Sequence, residues 1–459
     1  MLVFLPPPIA VDAPNHLARI DQIAHGHVVA PLDHDHRAFA RLDSCVGPYV
    51  VAMGRLTHLR ISVIRRQFQS IDCGRLRSID ISNMALNNPV AYLPQVMGYM
   101  AGRRSGGLLA GVWMAKLAGL AAYLVLCWLA LRIAPWGKPL LFLVALLPTS
   151  MTLAGSLSAD AVPLALGLLT TALLLRLRAK LAEDDASGRT RRLLWGLAVC
   201  IVLLSLAKNL YFAVALVALL VPADRFATRR GRRIFLAGVF GPVVIGVGLW
   251  SALVVNRVKF EFEDWFLTNS VVQKAWIRDH PLGFAYLAVR SVFGTTRVVS
   301  HTVPGMVAQF SEVFGPTVAP IGMTLLALGL GLVALATDGV GSRRSGGAST
   351  SRVDGDGGDD RYDHITRLVI PVVVLVVVMA LVLYGEALAL TPNLRIGPNI
   401  TYIEGRYFLP ILPLLVLLPF SVPGTAIREG GRLGWAWTVP TGVVALAGWY
   451  AVLVAQRFY

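Results

Sequence analysis

Cysteine and charge are what this sequence has least of. Four cysteines in 459 residues are too few for a disulfide scaffold, and Cys127 and Cys200 stand inside apolar runs where packing accounts for them. Cys45 and Cys73 share one polar segment. If that segment is exported they can pair, and two free thiols explain them equally well. Charged residues make up only 15% of the chain against 56% hydrophobic ones, which marks a polytopic integral membrane protein with apolar runs long enough to cross a bilayer. Acidic residues are the scarcer sign, 26 Asp and Glu against 42 Lys and Arg, for a net charge of +16. The arginines fall between apolar runs, where the positive-inside bias explains them, so no nucleic-acid partner is expected. An internal repeat is also missing, which argues against an inverted-repeat transporter.

What is present predicts an all-α fold, a polytopic transmembrane helical bundle of about ten spans. The apolar runs fall at 107–133, 139–156, 160–178, 193–207, 209–221, 234–256, 318–337, 367–389, 406–421 and 434–456. Two of them, 193–207 and 209–221, are too brief to cross an ordinary bilayer alone and suggest a helical hairpin or a re-entrant pair. Arginine sets the orientation. "RLRAKLAEDDASGRTRR" (176–192), "DRFATRRGRR" (224–233), the stretch 338–367 and "REGGR" (428–432) fall on one side if the spans alternate, and that side is cytoplasmic. The organisation expected is an extracytoplasmic segment at 1–106, a first bundle at 107–337 with an exported loop at 257–317, a disordered cytoplasmic linker at 338–366 and a C-terminal bundle at 367–459. The linker is Gly, Ser and Asp rich with little to bury. Only "MLVFL" precedes the first prolines, and a long polar segment needs a preceding span or signal to be exported, so a further helix upstream is expected.

Polar groups gather on the outer side. "VDAPNHLARIDQI" (11–23) carries Asp12, His16 and Arg19 on what reads as an amphipathic helix. Asp12 follows Pro6, Pro7 and Pro8, and a carboxylate at such a boundary suits a general base. It also suits a helix cap. His16 and Arg19 add a proton-sharing imidazole and an anion-binding guanidinium. "SLSAD" (156–160) puts Asp160 at the outer end of a span, where a carboxylate is a functional candidate, while Ser156 and Ser158 would satisfy an interhelical contact. "LAKNLY" sets Lys208 between two apolar runs, where an ammonium needs an anion or must snorkel. "EGRYFLP" (404–410) sets Arg406 and Tyr407 at a span end, a pairing suited to a lipid phosphate and also to simple interfacial anchoring. "HGH" (25–27) and "DHDH" (33–36) offer metal ligands, but such tracts are more often solvated loop. A divalent metal is not favoured, and no cofactor is assigned.

Six stretches in order, "VDAPNHLARIDQIAHGHVV", "NNPVAYLPQVMGYMAGR", "PTSMTLAGSLSADAVPLAL", "LAKNLY", "FGTTRVVSHTVPG" and "EGRYFLPILPLL", resemble the blocks of the predicted membrane proteins grouped as domain of unknown function family 2142. That family in turn resembles the GT-C glycosyltransferase class. The resemblance implies a multi-pass plasma-membrane enzyme that takes a sugar from a polyprenyl-phosphate carrier to a glycan or lipid-linked acceptor, using a carboxylate in its first exported loop. The family's first block usually carries an acidic pair before Pro and His. Here Asp12 matches the first acid and Ala13 replaces the second, whereas Arg406, Tyr407 and Pro410 fit the closing block unchanged.

The chemistry then expected has Asp12 deprotonating the acceptor hydroxyl, His16 orienting it, and Arg406 with Lys208 or Arg19 on the phosphate, while Asp160 and Tyr407 are further substrate-binding candidates. The site faces outside, with membrane lipids and the lipid-linked sugar as partners. The alternatives are a lipid-linked glycan flippase and a non-catalytic scaffold of an envelope polysaccharide system, the latter favoured by the Ala13 departure.

Overall fold

The structure is a computed structural model that describes residues 13–42, 77–179, 187–259, 261–262, 268–293, 307, 324–331, 357–389, 400, 403–417, 438–449 and 452. Helix α1 spans Ala13–Ala24. A two-stranded antiparallel sheet follows, β1 (Phe39–Leu42) with β2 (Arg77–Asp80), in the register Phe39 opposite Asp80. A short α2 (Ser82–Ala85) and a single turn at Pro89–Tyr92 lead into α3, Leu93–Ile133. Cys45, Cys73 and Asp12 lie outside the described residues.

Glycine breaks α3 into two arms. Gly106 and Gly107 leave helical geometry, with Gly107 at φ 79°, a conformation that glycine tolerates and other residues rarely adopt. The arms then fold back on each other. A Cβ at Gly98 would lie 2.2 Å from the Met114 carbonyl oxygen, and one at Gly102 would lie 2.4 Å from that of Ala110. "GYMAGRRSG" thus repeats glycine every fourth residue along one face, which lets two helix backbones approach closely. Sequence periodicity predicts a first span at 107–133, whereas the helix begins at Leu93 and doubles back as a hairpin. The Gln95 side chain touches Gly119 and donates to the Ser158 carbonyl at 3.2 Å, so the hairpin projects beyond the start of the next long helix.

That next helix, α6 (Ala161–Arg178), follows the short α4 (Lys138–Leu146) and α5 (Pro148–Ala154). The run expected as one span at 139–156 is interrupted at Leu147, which is extended ahead of Pro148, as the ring of a following proline requires. Helix α6 is apolar all round and nearly every residue of it is buried, which makes it the centre of the bundle. Against it stand α7 (Ser187–Ala207), a tighter helix at Asn209–Leu220 and α8 (Arg229–Trp250). A two-residue hairpin, β3 (Glu261–Phe262) with β4 (Thr268–Asn269), precedes α9 (Ser270–Asp279) and α10 (Pro281–Phe293). Helix α11 runs Gly357–Ala389, starting ten residues before the apolar run at 367–389. The run expected at 406–421 contains two short tight helices, Gly405–Phe408 and Leu412–Leu417.

The chain is therefore an all-α polytopic membrane protein with two small two-stranded sheets among its described residues. Among the described residues five helices are long and apolar enough to cross a membrane, and Asn209–Leu220, Pro281–Phe293 and Thr438–Trp449 are shorter apolar ones. Two cores result. One fills the bundle around α6. The other unites α1, β1, the α3 hairpin and the end of α8 through Leu17, Ile20, Tyr92, Tyr99, Val112 and Trp250. It caps the end of the bundle where α6 begins and α7 stops.

Candidate functional site

Between the two cores lies a buried knot of charge. The "SLSAD" turn builds its first member. Ser156 Oγ accepts from the Ser158 amide at 3.1 Å, and Ser158 Oγ accepts from the Asp160 amide at 3.1 Å. These hydroxyls serve the local backbone rather than the interhelical contact expected of them. They deliver Asp160 to the start of α6, where the helix dipole favours an anion and Pro163 costs no hydrogen bond.

Lys208 comes from the break between α7 and Asn209–Leu220, where its own backbone is extended. Its ammonium forms an ion pair with Asp160 Oδ1 and lies 4.6 Å from the centre of the Tyr407 ring. Arg406 arrives on the Gly405–Phe408 turn, and its Nε stands 2.6 Å from Glu404 Oε2 and 3.5 Å from Asp160 Oδ2. Gly167 permits that approach. A Cβ there would sit 2.0 Å from the Pro410 carbonyl oxygen, so only glycine lets the 403–411 segment lie directly on α6. Asp160, Lys208 and Arg406 expose between 9% and 13% of their side chains. Charges held this far from water persist only when paired.

His16 reaches the same knot from α1. Its Nδ1 is 2.8 Å from the Tyr92 hydroxyl, and it lies in the field of Asp160, Arg406 and Lys208. Burial pushes the imidazole pKa down to about 3; Asp160 opposes this, and Arg406 and Lys208 reinforce it. The ring is therefore neutral at physiological pH.

Arg19 goes elsewhere. Fully buried, it donates to the Val28 carbonyl at 2.7 Å, more weakly to that of His27, and to the Gln22 side chain. It fastens the turn after α1 and is not among the groups that meet at Asp160. Burial lowers its pKa to about 10, which leaves it charged. Asp21 on the same helix accepts from the Tyr99 hydroxyl at 2.7 Å, docking α1 on the α3 hairpin.

Sequence reasoning passed over two carboxylates. Glu404 stands two residues before Arg406 and pairs with it. Glu386, buried near the end of α11, lies within electrostatic reach of Glu404 and Arg406. A lone carboxylate inside an apolar run, as in "VLYGEALAL", was the signal for it. Tyr211 closes the floor by donating its hydroxyl to the Tyr407 carbonyl at 3.0 Å.

The histidine-rich tracts form turns. His25 Nδ1 lies 2.8 Å from the Asp21 carbonyl, and Gly26 takes φ 86°. Asp33, His34 and Asp35 bring ligand atoms within 4.8 Å of one another. Asp33 Oδ1, however, already accepts from the amides of Asp35 and Arg37, and Asp35 pairs with Arg37. These carboxylates are engaged in shaping an exposed loop.

A family model described as "Predicted membrane protein (DUF2142)" matches residues 68–415. The chain belongs to this family of predicted membrane proteins. The matched region holds Asp160, Lys208, Glu404, Arg406 and Tyr407, and it begins after α1, so His16 and Arg19 precede it. No curated protein and no solved structure matches the chain.

Proposed function

We propose that this family member is an integral membrane glycosyltransferase of GT-C type. It moves a sugar from a polyprenyl-phosphate donor to a cell-envelope glycan or lipid-linked acceptor at the outer face of the plasma membrane. The observation that carries the reading is the meeting of Lys208 and Arg406 with Asp160 at one end of the bundle. Two cations oriented by a buried carboxylate at the end of apolar helices suit the phosphate of a lipid whose chain stays in the bilayer.

In that reaction the acceptor hydroxyl oxygen bonds to the anomeric carbon while the bond from that carbon to the phosphate oxygen breaks. The electron pair leaves with the lipid phosphate. An already anionic leaving group needs its charge stabilised more than it needs a proton, and this is the role of Lys208 and Arg406. The hydroxyl proton passes to a carboxylate. Asp12, immediately ahead of the helix that carries His16, is assigned that role. Neutral His16 orients the acceptor by hydrogen bonding, and Asp160 fixes the two cations before substrate arrives.

The test is transfer of labelled sugar from synthetic polyprenyl-phosphate donors by the purified protein in vesicles. Arg406→Ala should lower product formation by about a hundredfold or more, and Asp12→Asn should abolish it while the protein inserts normally. Unchanged transfer in Asp12→Asn would reassign the base. Movement of an intact lipid-linked glycan across the bilayer without a new glycosidic bond would replace the transferase by a flippase. Neither activity would leave a scaffold.

A further inference from the structure

Helix α10 has two opposed apolar faces, and protein covers only one. Its inner face rests on the bundle. Leu287 is buried in the core, Phe284 meets the Tyr384 ring edge-on at 6.2 Å, and Ser291 Oγ accepts from the Ile400 amide at 2.8 Å. The outer face carries Leu282, Tyr286, Val289 and Phe293, which are 85%, 67%, 59% and 84% exposed. At about 100° per residue these four fall within about 60° of one another, opposite Leu287 and Ser291. An uncovered stripe of large apolar side chains this regular is not left in water.

Three features identify what covers it. Tyr384, against which α10 packs, lies within the apolar span Leu368–Leu388 and close to its end, so α10 sits at the level where that span leaves the hydrocarbon. The same span exposes Val369, Val372, Val376 and Ala380 along the face that ends at Tyr384, itself partly exposed, so the stripe stands beside the end of a surface that faces lipid. Arg290 is exposed beside the stripe, and Lys274 and Arg278 lie on the preceding α9, where cations meet anionic headgroups. The helix has 13 residues, about 20 Å of rise and too little to cross.

We propose that α10 is an in-plane membrane helix. It beds Leu282, Tyr286, Val289 and Phe293 in the acyl boundary of the leaflet at the end of the bundle that holds Asp160, and Arg290 reaches back to the lipid phosphates. Through Ser291 it ties Ile400, and with it the segment leading to Glu404 and Arg406, to the membrane surface. This inference does not depend on which reaction the site performs.

Spin labels test it in the full-length protein. Leu282→Cys, Tyr286→Cys, Val289→Cys and Phe293→Cys, each in a background with the four native cysteines replaced, would be labelled and reconstituted in phosphatidylcholine and phosphatidylglycerol vesicles. The expected result is collision with oxygen well above collision with a water-soluble nickel chelate at all four positions, at one shared shallow depth. A label at Leu287→Cys should be shielded from both. High nickel access at the four positions would place the face in water and overturn the proposal. A depth change of about 16 Å from 282 to 293 would make the helix a crossing segment and overturn it as well. Shielding of the outer face from both reagents would mean that another protein surface covers it, with the same consequence.

Discussion

Helix α1 and the start of α6 both bury ions, yet they treat them differently. Arg19 is answered by backbone carbonyls and a neighbouring glutamine, and Asp21 by the Tyr99 hydroxyl. Those partners are fixed parts of one folding unit, so the ions act as rivets. Asp160, Lys208, Arg406 and Glu404 are answered by one another's charges. They come from three distant segments, and either cation can exchange its carboxylate for an external anion. Burial alone does not separate a rivet from a binding site; the identity of the partners does.

The largest effect that would sharpen this contrast is on catalysis. Arg406→Ala should lower sugar transfer by about a hundredfold or more, the scale of losing one oriented charge donor at a developing anion. Arg406→Lys should restore little, because a point charge cannot bridge Glu404 and Asp160 as the planar guanidinium does. Rates are read in vesicles at matched protein content. Unimpaired transfer in Arg406→Ala would remove the phosphate from this end of the bundle.

Next comes stability. Arg19→Met should destabilise the folded protein by about 2 kcal/mol, since it removes the charge-assisted hydrogen bonds that hold the exposed His27–Val28 turn to α1 and leaves the buried Gln22 side chain without its donor. Thermal unfolding in detergent reads the loss, and the activity of the surviving folded fraction should be near that of the parent. A selective loss of transfer, with stability intact, would move Arg19 from rivet to site.

A double-mutant cycle separates the two regions further. Asp160→Asn and Lys208→Met should each cost stability, and the double variant should cost less than their sum, with a coupling of about 2 kcal/mol between paired buried charges. Additive losses would mean that the two ions act independently.

How much of this could be read from the sequence depends on the scale of the force involved. Asp160, Lys208 and Arg406 were legible because an ion at the end of an apolar run is expensive, and that expense is local. The α3 hairpin was not. Gly98, Gly102 and Gly106 stand four apart just ahead of the apolar run at 107–133, and only contact with Ala110 and Met114 shows what they do. The break at Leu147 carried a local signal in Pro148. The tight turns at Gly405–Phe408 and Leu412–Leu417 carried one too, in Pro410 and Pro413, but their seating on α6 at Gly167 is a tertiary contact that no local signal encodes. Glu386 was visible as a lone acid but needed the fold to bring it towards Glu404 and Arg406. The partners of Arg19 were not legible for the opposite reason: its side chain turns to carbonyls eight and nine residues ahead, a contact that helical periodicity does not encode.

The smallest effect is one of pH, and it concerns the residue that belongs to both regions. His16 lies on α1 with the rivets and faces the charges of the site. Its native pKa of about 3 lies below the unfolded value of 6.5, so between those values the unfolded chain binds a proton that the native protein does not. Stability therefore falls as pH drops through 6.5 and is independent of this group above about pH 7.5. Between pH 8 and pH 6 the loss should be just under about 1 kcal/mol, growing more steeply at lower pH. His16→Gln keeps a polar side chain beside Tyr92 without a titrating proton, so its stability should decline less over that range. An equal decline in both proteins would mean that the imidazole is solvated or charged in the native state, and α1 would then not seal the site.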